Sequence, residues 1–236
     1  SQLPSDLPAV PVIYEDEYLL ILDKPAGMLS QKSKPEDISL NEVGCYMIEQ
    51  RVGAFQGFRP GVCNRLDRNT AGAVIMAKTL EASQAISRML QDHLLGKFYW
   101  ALVEGCPKKW KTETTLVHGW SKDEVRNKAS LVSWSPTLEG YQRIESKVKL
   151  LEVYDTYSLV EIQLLTGKSH QIRSQLAKEG YPILQDGKYN PMAKEYRPML
   201  VAKRLEFRDC PEPLQYLEGR KMEAATPAAM QQYLNQ

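Results

Sequence analysis

The sequence contains no hydrophobic run long enough to cross a bilayer. The longest aliphatic stretch near its start is Leu19–Leu22, whereas a membrane-spanning helix needs about 20 apolar residues. No basic and apolar leader precedes that stretch, so no secretion signal is predicted and a cytoplasmic location is expected. The four cysteines are widely spaced and form no CxxC pair: Cys45, Cys63, Cys106 and Cys210. They are predicted to be reduced thiols, which argues against a disulfide framework and a zinc site.

Histidine is scarce, and neither sign of charge dominates. The three histidines form no HExxH pattern, so a catalytic zinc site is not predicted. The 30 basic and 29 acidic residues give a net charge of +1, which neither requires nor excludes nucleic acid, because only a local basic face matters. The 236 residues, 43% of them hydrophobic and 25% charged, are typical of a soluble globular protein with a sizeable core.

Two motifs of other enzyme classes are incomplete. Gly167-Lys168-Ser169 follows a predicted strand and opens a helix, as a nucleotide-binding P-loop would. That loop needs a glycine five residues earlier, and position 162 is isoleucine. Cys63 and His170 could serve as nucleophile and base, but nothing in the sequence joins them and an isolated cysteine is usually buried. Neither class is favoured.

Hydrophobic periodicity predicts an α+β fold. Ser39 and Glu42 form a capping box that begins a helix at about 40–51. Thr79 begins a second helix that Gly96 closes, and Gly180 ends a third. Strands are predicted at 12–14, 18–22, 73–77, 98–103, 146–153 and 157–165. Strands and helices do not alternate strictly, which favours a largely antiparallel sheet.

The first segment that could carry chemistry is the polar loop Cys63–Gly72. It places Asp67 between Arg65 and Arg68, directly before an apolar strand. Considered alone, Asp67 is better explained as part of a surface turn that pairs with a neighbouring arginine.

Two further segments place aromatic and basic side chains at ordered positions. Strand alternation puts Lys97 and Tyr99 on one face, which looks toward a cleft if the opposite face is core. A helix N-terminus near Lys168 and Arg173 suits a phosphate or a carboxylate. Considered alone, the first of these segments is better explained as an aromatic residue at the edge of a core, and the second as an ordinary capped helix with solvated basic residues.

Taken in order, the three segments resemble the signature motifs of the RluA-type pseudouridine synthases; they read NRLDRNTAG, KFYWALVEG and LLTGKSHQIRSQLAKEGYPILQDGKYN. The opening VIYEDEYLLILDKPAGMLSQ is similar to the start of that family's catalytic domain. The resemblance implies a mixed, mainly antiparallel sheet flanked by helices, with a central catalytic cleft. It also implies a tail over 1–10, a catalytic domain over 11–208 and an extension over 209–236. About ten residues precede the match, too few for a folded domain, so an S4 RNA-binding domain is not expected.

The resemblance assigns the chemistry to three residues. Asp67 is implied to be the catalytic carboxylate, Arg173 the guanidinium that keeps it ionised, and Tyr99 the ring that packs against uracil. Arg65 is implied to fill the space that an everted base leaves behind. Further RNA contacts are predicted for Asn64, Lys97, Lys168, His170 and Gln171, and phosphate contacts also for Lys24 and Lys188.

The reaction implied by the resemblance is an isomerisation. It breaks the N1–C1′ bond of uridine, turns the base and joins C5 to C1′. It needs an ionised carboxylate, as nucleophile or as proton acceptor, and no cofactor or metal is expected. The expected partner is structured RNA, with ribosomal large-subunit RNA favoured over transfer RNA. A monomer without membrane contact is expected.

Two other interpretations stay open. The chain departs from the usual His, Ser, Arg and His of the family at Asn64, Ala71, Lys168 and Gln175. These departures are compatible with a catalytically inactive RNA-binding or RNA-folding protein. A glycosidase that uses Asp67 with Asp186 is a third interpretation, which requires the second acid to be suitably placed.

Overall fold

The computed structural model describes residues 7–236, so part of the predicted tail over 1–10 lies outside the described residues. The chain divides into two compact units. Unit 1 takes the chain up to Gly96 together with Ala202–Ala225, and unit 2 takes Lys97–Val201 together with Thr226–Gln236. The predicted boundaries of a catalytic domain at 11–208 and an extension at 209–236 stay a prediction.

Strands and helices mix along the described residues. The strands are β1 (Val12–Glu15), β2 (Leu19–Lys24), β3 (Gly61–Val62), β4 (Ala71–Ala77), β5 (Leu95–Glu104), β6 (Thr114–Asp123), β7 (Lys128–Ser133), β8 (Gln142–Val153), β9 (Tyr157–Leu164), β10 (Leu200–Phe207) and β11 (Lys221–Glu223). The α-helices are α1 (Leu40–Val52), α2 (Leu80–Gln91), α3 (Gln171–Lys178) and α4 (Ala228–Leu234). Among the described helices, none has both the length and the apolar composition that crossing a bilayer requires.

In unit 1, β2 runs antiparallel to both β1 and β4, and β10 runs antiparallel to β11. Both faces of β2 and β4 are covered, which explains why their residues are apolar at successive positions. Leu19 and Ile75 lie in a buried cluster with Ile86 of α2. On the other face α1 comes so close that a Cβ at Gly44 would collide with the side chain of Met76.

In unit 2, the strands follow the order β5-β9-β8-β6-β7, and each neighbouring pair is antiparallel. The core side chains Val148, Val160 and Ile162 are at most 1% exposed, as is Leu176 of α3. The prediction of an α+β fold with a mainly antiparallel sheet is confirmed. The central cleft stays a prediction.

The predicted end of the second helix was wrong. Gly96 lies inside β5, and α2 already ends at Gln91. The left-handed residue that stops the helix is His93, with φ 56°, and the N–H of Leu94 then donates to the carbonyl of Met89 at 2.8 Å. This is the 6→1 bond of a Schellman motif, in which glycine is usual but not obligatory.

Candidate active site

Asp67 lies in unit 1 on the loop between β3 and β4, and it is exposed. Its carbonyl accepts a hydrogen bond from the N–H of Thr70 at 3.0 Å, which closes a turn. The residue before it is fixed by a buried serine: Ser30 Oγ donates to the carbonyl of Leu66, and the N–H of Leu66 donates back to Ser30 Oγ, both at 2.9 Å. An exposed carboxylate is therefore attached to backbone that is anchored in the core.

Lys24 anchors the residue after Asp67. Its side chain is fully buried, and Nζ donates to the carbonyls of Pro25 at 3.1 Å, Met28 at 2.6 Å and Arg68 at 3.0 Å. Burial lowers the pKa of Lys24 to about 8, against the opposing attraction of the Asp67 charge. The predicted phosphate contact of Lys24 was wrong, because a buried ammonium with three carbonyl acceptors cannot reach the RNA backbone.

Two residues of the first motif, Asn64 and Arg65, were predicted to contact RNA, and the structure places them differently. The amide of Asn64 extends the pairing of β4: Nδ2 donates to the carbonyl of Ala73 at 3.2 Å, and Oδ1 accepts from the N–H of Ile75 at 2.8 Å. Arg65 is exposed, and its Nη1 donates to Gln31 Oε1 at 3.2 Å. The structure thus gives Asn64 a role in the fold, whereas the Arg65 guanidinium lies at the surface.

Tyr99 lies in unit 2, in the middle of β5 and opposite Ile162 of β9. Lys97, two residues earlier, is half-buried, and that burial lowers its pKa. Phe98 and Trp100 lie on the opposite face of the strand, the face that would be core, and they are half-buried as well. Alternation along β5 therefore does not separate a buried face from an exposed one at these four residues.

The side chain of Gln171, the first residue of α3, stabilises the loop of the third motif through hydrogen bonds. Its Nε2 donates to the carbonyl of Glu145 at 3.0 Å and to Ser146 Oγ at 2.9 Å. Its Oε1 accepts from Thr166 Oγ1 at 2.8 Å and from the N–H of Lys168 at 3.1 Å. All four hydrogen-bonding positions of the amide are occupied within unit 2, so we assign Gln171 to the support of the loop and not to direct RNA contact.

Arg173 is held by a buried acid in the same unit. Its Nε donates to Asp186 Oδ2 at 2.7 Å and its Nη2 to Asp186 Oδ1 at 2.8 Å. The side chains are 11% and 0% exposed. A buried carboxylate whose two oxygens are both bound to one guanidinium cannot serve as the second acid of a glycosidase. The third interpretation is therefore rejected.

Sequence reasoning missed Tyr189, which stands against the same arginine. Its ring centroid lies 5.3 Å from Arg173 Cζ. Its hydroxyl accepts the N–H of Ala129 at 2.7 Å and lies 2.9 Å from His170 Nδ1. The sequence feature that could have identified Tyr189 is the end of the third motif, QDGKYN, which contains both Asp186 and Tyr189.

The two lysines of the third motif with predicted phosphate contacts are exposed. Lys168 Nζ lies 6.0 Å from the ring centroid of Trp120, whose Nε1 donates to the carbonyl of Ser169 at 3.0 Å. Lys188 Nζ donates to the carbonyl of Asn127 at 2.6 Å. Both ammonium groups lie where a phosphate could approach, and their contacts with RNA stay a prediction.

The structure gives no support to a thiol enzyme. Burial raises the pKa of Cys63 to about 11, so its thiolate is scarcely populated at neutral pH. Within residues 7–236, His, Cys, Asp and Glu form no group of three that could hold a metal ion.

A family model described as RNA pseudouridylate synthase matches residues 18–178. The match includes the Asp67 loop, Tyr99 and Arg173, and it ends before Asp186 and Tyr189. It covers more than half of the chain.

Curated relatives carry related names. An uncharacterized RNA pseudouridine synthase of Synechocystis sp. is 32% identical over 181 residues, which are 75% of this chain and 54% of that protein. The ribosomal large subunit pseudouridine synthase D of Neisseria meningitidis is 31% identical over 78% of this chain and 47% of its own length. The chain thus spans about half the length of these relatives.

Among solved structures, human RNA pseudouridylate synthase domain containing 4 has a TM-score of 0.74 at 20% identity, covering 95% of this chain and 91% of that one. This similarity shows a shared pseudouridine synthase fold. Together with the three motifs and the family model, it leads to one conclusion: the chain belongs to the RluA-type RNA pseudouridylate synthases.

Proposed function

We propose that this protein isomerises uridine to pseudouridine in RNA and that Asp67 is its catalytic carboxylate. The observation that carries the proposal is the geometry of the Asp67 loop in a chain of this family. Ser30 fixes the residue before Asp67, and Lys24 fixes the residue after it. A reactive group needs both properties, access to substrate and a fixed position.

Each catalytic residue has a defined part in the proposed reaction. Asp67 lies beside the sugar and the base of an everted uridine, where it acts as nucleophile or proton acceptor while the N1–C1′ bond breaks. Tyr99 packs against the uracil ring, and Arg173 keeps Asp67 ionised, because a nearby positive charge stabilises the carboxylate. Eversion of the base costs a few kcal/mol, and insertion of the exposed Arg65 lowers that cost.

Ribosomal large-subunit RNA is the proposed substrate, and transfer RNA is the alternative. The names of the relatives from Neisseria meningitidis and Zymomonas mobilis, both ribosomal large subunit pseudouridine synthase D, support the first choice. Pseudouridines mapped in both RNA classes from a strain that lacks the gene, and again after complementation, would identify the substrate. Sites that disappear only from transfer RNA would contradict the ribosomal assignment.

The direct test of the activity is release of tritium from RNA labelled at C5 of uridine, since C5 loses its hydrogen when it bonds to C1′. Wild type should release tritium, and Asp67→Asn and Asp67→Ala should not. Asp92→Asn, which removes an exposed carboxylate at the end of α2, is the matched control and should keep activity. Equal release from wild type and both Asp67 variants would end the proposal.

The alternative, a catalytically inactive RNA-binding protein, predicts a different result with RNA that carries a modified uridine. RNA that carries 5-fluorouridine should be captured by the active enzyme far more tightly than plain RNA, because fluorine cannot leave C5 as a proton does. A protein without turnover should bind the two RNAs alike.

A further inference from the structure

The guanidinium of Arg173 is held on one edge by a carboxylate that is completely buried. Asp186 uses both oxygens on Arg173, at 2.7 and 2.8 Å, and Oδ1 also accepts the N–H of Lys188 at 3.1 Å. The backbone of Asp186 is itself anchored, because its carbonyl accepts the N–H of Asn190 at 2.8 Å. A bidentate pair of this kind fixes both the position and the plane of a long, flexible side chain.

The face of the same guanidinium is covered by Tyr189, at 5.3 Å from ring centroid to Cζ. The ring is anchored from two sides. The N–H of Ala129 in β7 donates to its hydroxyl, and His170 Nδ1, directly before α3, lies within hydrogen-bonding distance of it. The Tyr189 ring therefore cannot turn away from Arg173 without breaking hydrogen bonds on separate parts of unit 2.

We propose that Asp186 and Tyr189 are positioning residues that hold Arg173 by its edge and its face in the geometry that catalysis requires. The inference rests on the proposed function, in which Arg173 keeps Asp67 ionised. Asp186 carries a negative charge, which by itself opposes that electrostatic effect. Its contribution is therefore the orientation of the guanidinium.

These two effects of Asp186 have opposite signs, which makes the inference testable by pH. If Asp186 acted only through its charge, Asp186→Asn would strengthen the electrostatic effect of Arg173 on Asp67, and activity would persist to lower pH. If Asp186 orients Arg173, the amide NH2 of the variant faces guanidinium donors and Arg173 turns away. Asp67 then loses its stabilising partner, and the acid limb of kcat moves to higher pH.

The experiment measures kcat and KM by tritium release across the acid range. For Asp186→Asn we expect kcat to fall roughly tenfold to a hundredfold, as misplacement of a catalytic group does, with an upward shift of the acid limb and KM close to wild type. The matched control is Glu179→Gln, which disturbs the far end of α3, where Glu179 pairs with His118 and Lys109. The control should keep both kcat and its pH profile.

Charged or titratable groups near Tyr189 within unit 2 include His170 and Lys128, whose Nζ lies 5.2 Å from the Tyr189 ring. Lys188 contacts Asp186 through its backbone N–H, and its ammonium bonds the carbonyl of Asn127. Histidine is the side-chain type among these whose charge commonly changes near neutral pH. The Asp186→Asn comparison is therefore repeated in a His170→Asn background. Persistence of the upward shift supports the inference, and its disappearance overturns it.

The face contact is tested with two substitutions of Tyr189, which also serve if Asp186→Asn does not fold. Tyr189→Phe keeps an aromatic ring but removes the hydroxyl that anchors it, whereas Tyr189→Leu removes the ring. The loss in kcat should be clearly larger for leucine than for phenylalanine. Equal losses would overturn the role of the ring.

The possible results distinguish failure of this inference from failure of the proposed function. Absence of tritium release from wild type would overturn both. Release from wild type together with an unchanged or downward-shifted acid limb in folded Asp186→Asn would overturn the inference alone. An effect confined to KM would do the same.

Discussion

At the scale of single residues, the loop that carries Asp67 ends at a position where only glycine fits. Gly72 has φ +131°, and a Cβ there would collide with the backbone of Ala202. Both the left-handed backbone and the close approach to β10 exclude a side chain. The first motif thus ends in a glycine because the chain must pass against a neighbouring strand immediately after the loop.

We expect Gly72→Ala to lower the free energy of unfolding by more than about 1 kcal/mol, because the substitution adds a steric collision to an unfavourable φ. Gly57→Ala is the matched control, since Gly57 has φ +88° with nothing within 4 Å of the added Cβ. Urea unfolding of both variants separates the collision from the backbone strain. A loss no greater for Gly72→Ala than for Gly57→Ala would contradict the steric explanation.

The candidate catalytic residues could be predicted from the sequence, but their supports could not. Asp67 and Arg173 lie in contiguous motifs with characteristic neighbours, so residue order alone singles them out. The pairing of Arg173 with Asp186 depends on where the chain returns after Gly180, which no local pattern encodes. The same holds for Lys24, whose complete burial excludes the phosphate contact that its charge suggested.

At the scale of elements, the turn between β1 and β2 is held by one carboxylate. Asp16 Oδ1 accepts the N–H groups of Tyr18 and Leu19, each at 2.8 Å. Its Oδ2 accepts the hydroxyls of Tyr14 and Tyr216. Tyr216 belongs to the short 3-10 helix at 215–217, so this acid joins the start of unit 1 to its last segment.

The stability that Asp16 contributes should depend on pH. Burial raises its pKa, but the hydrogen bonds from the two tyrosines and two N–H groups outweigh burial and lower it overall. A lowered pKa in the folded state gives stability that is present above the unfolded value, about 4, and is lost as pH falls through the folded value. Asp16→Asn should therefore be less stable than wild type at neutral pH, and the difference should shrink in acid.

Urea unfolding between neutral and acid pH measures this effect, with the exposed Asp92→Asn as the control for loss of a surface charge. A difference between wild type and Asp16→Asn that stays constant down to the lowest accessible pH would refute the linkage.

Periodicity predicted many of the described elements, but it gave no prediction for six of them: β3, β6, β7, β10, β11 and α4. β4 was predicted at 73–77 because five successive apolar residues are typical of a strand that is buried on both faces, and the strand begins two residues earlier, at Ala71. The capping box of α1 was predicted and is present, with the N–H of Ser39 donating to Glu42 Oε2 at 3.1 Å. The end of α2 was predicted wrongly, because His93 adopts the left-handed conformation in which glycine is expected.

At the scale of the whole molecule, a net charge of +1 gives little overall attraction to RNA, so the proposed RNA binding depends on local cations. We expect RNA affinity to fall steeply with salt. The slope of log affinity against log salt should become shallower by about one in Lys168→Ala, as loss of a single phosphate contact predicts. Fluorescence anisotropy with labelled RNA measures the slope, with the exposed Lys111→Ala as control. A flat salt response of wild type, or equal slopes in the two variants, would contradict a phosphate contact at Lys168.

Each unit combines two segments that are separated in the sequence, so its parts are synthesised at different times. Unit 1 needs Ala202–Ala225, and unit 2 needs Thr226–Gln236. While the ribosome translates the codons of β5 to β9, β2 and β4 are already made, but β10 and β11 are not. Unit 1 cannot be completed before Ala225 has left the exit tunnel, nor unit 2 before Gln236, so strand edges of the nascent chain stay exposed until those segments emerge.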